Sequence, residues 1–423
     1  MKTKLLILFI IVTNFLNAQS YKYAHYCLDS LISKEFKGRG YQEDGDRKAA
    51  NFIERELVKS GLKSIMNYPY QQKLPINVNN ILSSTLKLHS INSSYLKLGE
   101  EFLVYGSSPT VELKIKNVKP IKIDFSKEKD LENLEKYNGK VLLFDVKEVD
   151  YVKVHSLIRL LNEKEISPQI FIIQNCDKMQ FFSGRLKYNF PIIMLKDKEF
   201  SKKIDYLELS IKSNWVEDYE TQNVWGMVEG KVHKDSFYVF TAHYDHLGKI
   251  GEDCFFPGAN DNASGVAVLL DLAKYYSQNP SDYSIVFIFT TAEEIGLLGS
   301  KFAAENPLID LTKVKFLFNM DMCGTGSGGI ALINGEKEFD ASKTMKEINE
   351  TKRYFNEIRI GGESCNSDHC PFVQKGVPAF FLFTFGCEYN EYHTIYDNGE
   401  GLSFTKHLDF CNIIKDFIAS YKK

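Results

Sequence analysis

The 423-residue sequence has no dense cluster of lysine or arginine, and its 52 basic and 55 acidic residues leave a formal net charge of −3. That balance excludes nucleic acid as a partner, because such proteins need a concentrated basic footprint. The eight cysteines form no Cys-x-x-Cys pair, which removes the usual sequence signal of a thiolate metal site or redox motif. They read as scattered buried thiols, with Cys365 and Cys370, which flank Ser367-Asp368-His369, placed for a local bridge. No stretch beyond the N-terminus approaches the ~20 apolar residues of a membrane span, and no repeat or low-complexity tract is visible.

The N-terminus carries Lys2 and Lys4, the apolar run Leu5–Val12, and then Asn17-Ala18-Gln19. The pattern predicts a signal peptide over residues 1–18 and an exported protein, periplasmic or extracellular. The run is too short for a membrane anchor. Nothing in the sequence specifies an oligomeric state.

The remaining length accommodates two to three domains. Residues 19–84 contain a helical pattern over Asp44–Leu62, with Ala50, Phe52, Ile53 and Leu57 on one face. That helix reads as packing, and Gly38-Arg39-Gly40, before it, interrupts a short helical pattern over Tyr26–Phe36. Residues 85–215 switch to short alternating strands such as Val111–Ile115 and Lys140–Phe144, with a helix over Val152–Leu161, and predict a small inserted β-rich module. Residues 216–423 alternate strand and helix regularly. The chain is therefore expected to be α/β, with a mixed, largely parallel central sheet flanked by helices.

Within that last part, each strand ends in an acid or a histidine. Phe237–Ala242 leads to His243 and Asp245, and Asp261 precedes the next helix; Ile285–Thr290 leads to Glu293-Glu294, Val314–Met320 to Asp321, and Val377–Thr384 to His393. Parallel neighbours bring these ends to one rim, where open α/β sheets keep their chemistry. Two imidazoles and three carboxylates suit two Zn²⁺ ions with a position left for water. One glutamate is then surplus, and a free carboxylate beside activated water is what general-base hydrolysis requires.

The motifs His243-Tyr244-Asp245, Gly258-Ala259-Asn260-Asp261-Asn262-Ala263-Ser264-Gly265, Ala292-Glu293-Glu294-Ile295-Gly296-Leu297, Asn319-Met320-Asp321-Met322, Ser367-Asp368-His369 and His393-Thr394 resemble, in order, the co-catalytic di-zinc exopeptidases. That family includes bacterial leucyl aminopeptidases, aminopeptidase S and glutamate carboxypeptidase II, with glutaminyl cyclases as relatives. The resemblance implies peptide substrates and two zinc ions per chain, held by His243, Asp261, Glu294, Asp321 and His393, with Asp261 bridging. It makes Glu293 the general base, sets Asp245 behind His243 to orient its ring, and puts Asp368 and His369 at the pocket wall. His246 is left structural. Leu134–Phe144 gives the inserted module a likeness to a protease-associated domain, a cover for the site or a spacer. Aminopeptidase action is the expectation; a carboxypeptidase would need a cation for the terminal carboxylate, for which Arg353 and Arg359 are candidates. A cyclotransferase on the same fold, or a binding protein that has lost catalysis, are the alternatives.

Overall fold

The computed structural model describes residues 20–65, 68–89, 95–123, 133–146, 151–197 and 204–421. The expected signal peptide lies outside the described residues. Among the described residues, no helix is long and apolar enough to cross a membrane.

In chain order the strands are β1 (Gln71–His89), β2 (Phe102–Val104), β3 (Val111–Lys116), β4 (Ile121–Lys122), β5 (Val141–Asp145), β6 (Ile170–Gln174), β7 (Ile192–Leu195), β8 (Tyr206–Val228) and β9 (His233–His243). They continue with β10 (Lys249–Ile250), β11 (Cys254–Phe255), β12 (Tyr283–Thr290), β13 (Val314–Met320), β14 (Gly329–Ile333), β15 (Ile358–Ile360) and β16 (Ala379–Phe385). The helices used below are α1 (residues 20–31), α2 (Gly45–Lys59), α3 (Tyr151–Glu163), α4 (Gly265–Gln278), α5 (Leu298–Glu305), α6 (Phe339–Lys352), α7 (His369–Gln374) and α8 (His407–Ser420).

The large sheet runs β1-β8-β12-β9-β13-β16-β14-β15. Its centre, β12, β9, β13 and β16, is parallel, and the flanking β8 and β14 run antiparallel to it. The fold is thus the mixed, largely parallel α/β sheet expected from the strand and helix alternation. Strand periodicity explains why helices cover both faces. Tyr238, Phe240 and Ala242 point into one core with Val266, Leu269 and Leu270 of α4 and Phe410, Ile414 and Phe417 of α8. Phe237 and Val239, one residue out of phase, point into another with Ala303 and Ala304 of α5 and Phe372 of α7. Phe240 lies between Phe287 and Phe318 of the neighbouring strands, ring centroids 5.4 Å away on each side. Each such buried side chain is worth roughly 1.5–3 kcal/mol, and the layer keeps the three strand ends in step.

Strands β1 and β8 form one long antiparallel ribbon, from Gln71 opposite Val224 to His89 opposite Tyr206. At its far end hangs the insert, a second sheet ordered β2-β7-β6-β5-β4 with its own apolar core. Residues 85 and 215, where the sequence texture changes, fall inside the two ribbon strands, so the insert leaves and rejoins in mid-strand.

A buried ion pair joins α4 to α8: His407 Nε2 lies 3.0 Å from Asp271 Oδ2, with Cys411 beside them. Burial works against a charge on His407, but Cys411 and Asp271 push it up to about 10. A raised histidine stabilises the fold fully below its ordinary value near 6.5, and that contribution is lost as pH rises through about 10. Replacing His407 by alanine strands Asp271 and is expected to cost about 3–5 kcal/mol at neutral pH in urea denaturation. The deficit against wild type shrinks as pH approaches 10; a variant of unchanged stability at pH 7 would show that the pair contributes nothing.

Candidate active site

The parallel strands deliver the expected side chains to one rim. His243 ends β9 directly opposite Thr290 at the end of β12, and Asp321 follows the last residue of β13. Asp261 enters from the turn before α4. There Gly258 has φ +63°, and a Cβ on it would stand 2.4 Å from the His246 ring, so only glycine lets the turn close over that imidazole.

At the rim, Asp261 faces one imidazole with each carboxylate oxygen. Oδ1 is 3.2 Å from His243 Nε2 and Oδ2 is 3.1 Å from His393 Nε2. His243 Nε2 also stands 3.3 Å from Asp321 Oδ1, and His393 Nε2 stands 3.1 Å from Glu294 Oε2. The five residues expected as ligands therefore converge as two groups sharing Asp261. His243, Asp261 and Asp321 place their donor atoms within 4.8 Å of one another, as do His246, Asp261 and Glu294.

Buried carboxylates this close are compensated by protons on the imidazoles, beside the buried Arg39 guanidinium. Burial opposes a proton on His243, yet Asp321 and Glu293 hold it well above the usual histidine range. Burial likewise opposes charge on His393, and Glu294 and Asp261 raise it well above that range. For Glu294 burial raises the carboxyl, but His393 and His246 prevail and hold it down to about 2. Paired imidazole and carboxylate donors of this kind fit divalent metal ions, whose binding releases the imidazole protons.

Glu293 differs from its neighbours. Among the described residues it makes no ion pair with an imidazole, whereas Asp261, Glu294 and Asp321 all do. It lines the same cavity as Asp261 and Asp321. Burial and the charges of Asp321, Glu294 and Asp368 push its carboxyl well above the ordinary range.

Several neighbours act differently from the sequence-based expectation. The Asp245 carboxylate does not reach the His243 ring, its Oδ1 standing 3.7 Å from Nδ1. The ring nitrogen faces the Asp245 backbone carbonyl at 3.2 Å instead. The carboxylate accepts from Tyr41 Oη at 2.8 Å and from the backbone amides of Glu293 and Glu294. Asp245 thus fixes the glutamate turn, a connection between strand ends that linear spacing does not reveal.

Asp368 and His369 do not line the cavity. Where they sit the chain turns into α7 and carries both side chains behind the wall; Thr290 Oγ1 donates to Asp368 Oδ2, and His369 stacks on Phe381, ring centroids 5.6 Å apart. Asn366 and Phe381 form the wall instead. His246, read as structural, points Nδ1 at Glu294 Oε1 from 2.6 Å. Cys365 and Cys370 are disulfide-bonded beside this wall, Cα atoms 4.9 Å apart.

Two supports had no sequence signal beyond their positions. Asp397 accepts from the backbone amides of Asn260 and Asp261. Arg39, fully buried, donates to the carbonyls of Leu31, Tyr244, Pro257, Gly258 and Asp261. It is flanked by Gly38 and Gly40, which lie flat against Gly248, and a Cβ on Gly38 would stand 2.4 Å from the Gly248 carbonyl oxygen.

The cavity over the rim measures about 400 Å³. Its lining combines Asp261, Glu293 and Asp321 with Met322, Phe381, Phe383, Phe385, Tyr389 and Tyr392. Among the described residues that line it, none is lysine or arginine. Arg359 lies outside, paired with Glu357 and 4.0 Å over the Phe385 ring, and Arg353 is exposed at the end of α6. A larger depression of about 710 Å³ beside α1 mixes Lys22, His25, Asp29, Glu35 and Arg55 without converging donors.

Comparison with known proteins supports the same half of the chain. The chain is 31% identical over 233 residues to Aminopeptidase YwaD of Bacillus subtilis, covering 51% of this chain and 48% of that protein. It is 34% identical over 118 residues to a probable zinc metalloprotease of Pyricularia oryzae, covering 27% of this chain and 23% of that one. The matched region thus spans about half or less of the curated relatives' length. Among solved structures, a zinc aminopeptidase from Bacillus subtilis superposes with a TM-score of 0.71 at 22% identity, covering 95% of this chain and 96% of that chain. An aminopeptidase from an Aneurinibacillus strain gives 0.65 at 20% identity, covering 95% and 94%. These two likenesses concern the fold. The profile of Peptidase family M28 matches residues 223–417, the stretch that holds every residue of the rim.

Proposed function

We propose that this chain is an exported zinc-dependent aminopeptidase with two zinc ions per chain. One ion is assigned to His243 and Asp321, the other to Glu294 and His393, with Asp261 shared between them. The observation that carries the reading is Asp261 facing one imidazole with each oxygen. The metal pair supplies polarisation of the scissile carbonyl and acidification of a water.

The remaining steps belong to the chain. Glu293, free of imidazole partners, takes the water's proton on its carboxylate and passes it to the leaving amine. Asp245 holds Glu293 and Glu294 by their backbone amides so that both carboxylates keep their aim, and His246 steadies Glu294 through its short hydrogen bond. The acidic lining of the cavity suits a protonated α-amine, and the absence of lining lysine or arginine disfavours a terminal carboxylate. Met322 and the aromatic wall suit a large apolar first side chain. Export is supported by the N-terminal sequence alone.

The test compares peptides beginning with Leu, Phe or Gly, each with a free or an acetylated N-terminus. Free amino acid is expected only from the unblocked peptides, with kcat/KM for Leu or Phe above that for Gly by about 10–200-fold or more. Comparable cleavage of the acetylated peptides would overturn the aminopeptidase assignment.

A further inference from the structure

His393, unlike His243 and Asp321, is not delivered by a strand end. It sits in the loop after β16, with backbone φ +59°, a region that non-glycine residues occupy only when their surroundings hold them there. The loop's own ties stand on either side of it, Thr394 to Glu391 and Tyr389 to Asp397.

What reaches the His393 main chain comes from the insert. Between β6 and β7, Lys178 Nζ donates to the Asn390 carbonyl, Gln180 Nε2 to the Tyr392 carbonyl at 3.2 Å, and the Phe181 amide to the His393 carbonyl at 2.9 Å. The Phe182 ring then meets the His393 ring edge to face, centroids 5.2 Å apart. This segment is itself anchored. Phe181 stacks on Phe256 at 5.1 Å, and the Gly184 carbonyl accepts from the Asn79 amide of the ribbon at 2.7 Å.

We infer that the β6–β7 segment of the insert is a positioning clamp for His393, so that the second metal position is completed by the insert. The inference rests on the assignment of His393 as a metal ligand. The insert is thereby more than a cover or a spacer: it sets the affinity of one position and leaves the other, built on strand ends, untouched.

The experiment titrates Co²⁺ into full-length metal-free protein, following its visible absorption, for wild type and for Phe182→Ala, Gln180→Ala and Phe182→Tyr. Wild type is expected to bind two equivalents. In Phe182→Ala the first binds as in wild type and the second about 10–100-fold more weakly. Gln180→Ala, which trims a half-buried side chain and keeps the fold, shifts the second equivalent in the same direction. Phe182→Tyr, which retains the ring, restores it. Unchanged second-site affinity in both alanine variants, or equal weakening of both equivalents, would overturn the clamp. A wild-type protein that binds only one ion would instead defeat the two-metal assignment, and the clamp with it.

Discussion

Replacing Glu293 by glutamine is expected to lower kcat by about 10²–10⁴-fold while the protein still binds its metal ions and unfolds at the wild-type urea concentration. The expectation follows from where the side chain stands. Asp261, Glu294 and Asp321 are each engaged by imidazoles, so each is a donor with a partner already in place. Glu293 faces the cavity without one and is held only through its backbone, by Asp245. An amide there keeps the shape and removes the proton acceptor. A loss confined to kcat, with KM little changed, marks an interaction made only as the water attacks. A glutamine variant that kept near-normal turnover with both metals bound would remove Glu293 from the chemistry.

A large effect on both stability and metal affinity is expected at Arg39. Its guanidinium, buried so deeply that its acidity rises to about 10, still carries its charge at neutral pH and serves five carbonyl groups at once. Arg39→Met takes a donor from each of those carbonyls and removes a buried cation near Asp397, Asp261 and Asp245. The cost is expected at about 3–5 kcal/mol in urea denaturation, with metal affinity falling as well because Pro257, Gly258 and Asp261 carry the turn to the rim. Arg39→Lys keeps the charge but gathers its donors on one atom, and is expected to recover only part of the loss. If the methionine variant unfolded at the wild-type midpoint, the guanidinium would be a passenger in the core.

The rim was legible in the sequence because His243 and Asp321 ride on regular elements. Strands such as Val314–Met320 are largely apolar, Lys315 and Asn319 aside, and lead straight to a carboxylate or an imidazole, so the alternation of strand and helix predicts both the sheet and the edge where Asp321 and His243 meet. What was not legible depends on contacts between distant segments. Arg39 looks like a cation between two glycines until the Pro257–Asp261 turn folds over it. Asp245 spends its carboxylate on a turn 48 and 49 residues away, where spacing suggested its own neighbour His243. Asp368 and His369 lie next to the cavity in sequence, yet at the start of α7 His369 stacks on Phe381 and Asp368 accepts from Thr290. Strands β1 and β8 were visible only in fragments because Pro75 and two register shifts, at Ile76/Val78 and Ile81/Ser83, break the alternation that marks a long strand.

The pairing of two metal ions about Asp261 is the claim on which the rest depends, and it is measured most directly by adding Zn²⁺ stepwise to metal-free protein and following bound metal together with aminopeptidase turnover. The account predicts that bound zinc saturates at two ions per chain and that turnover reaches its maximum only as the second is taken up. Full turnover with one ion bound, or none, would contradict it.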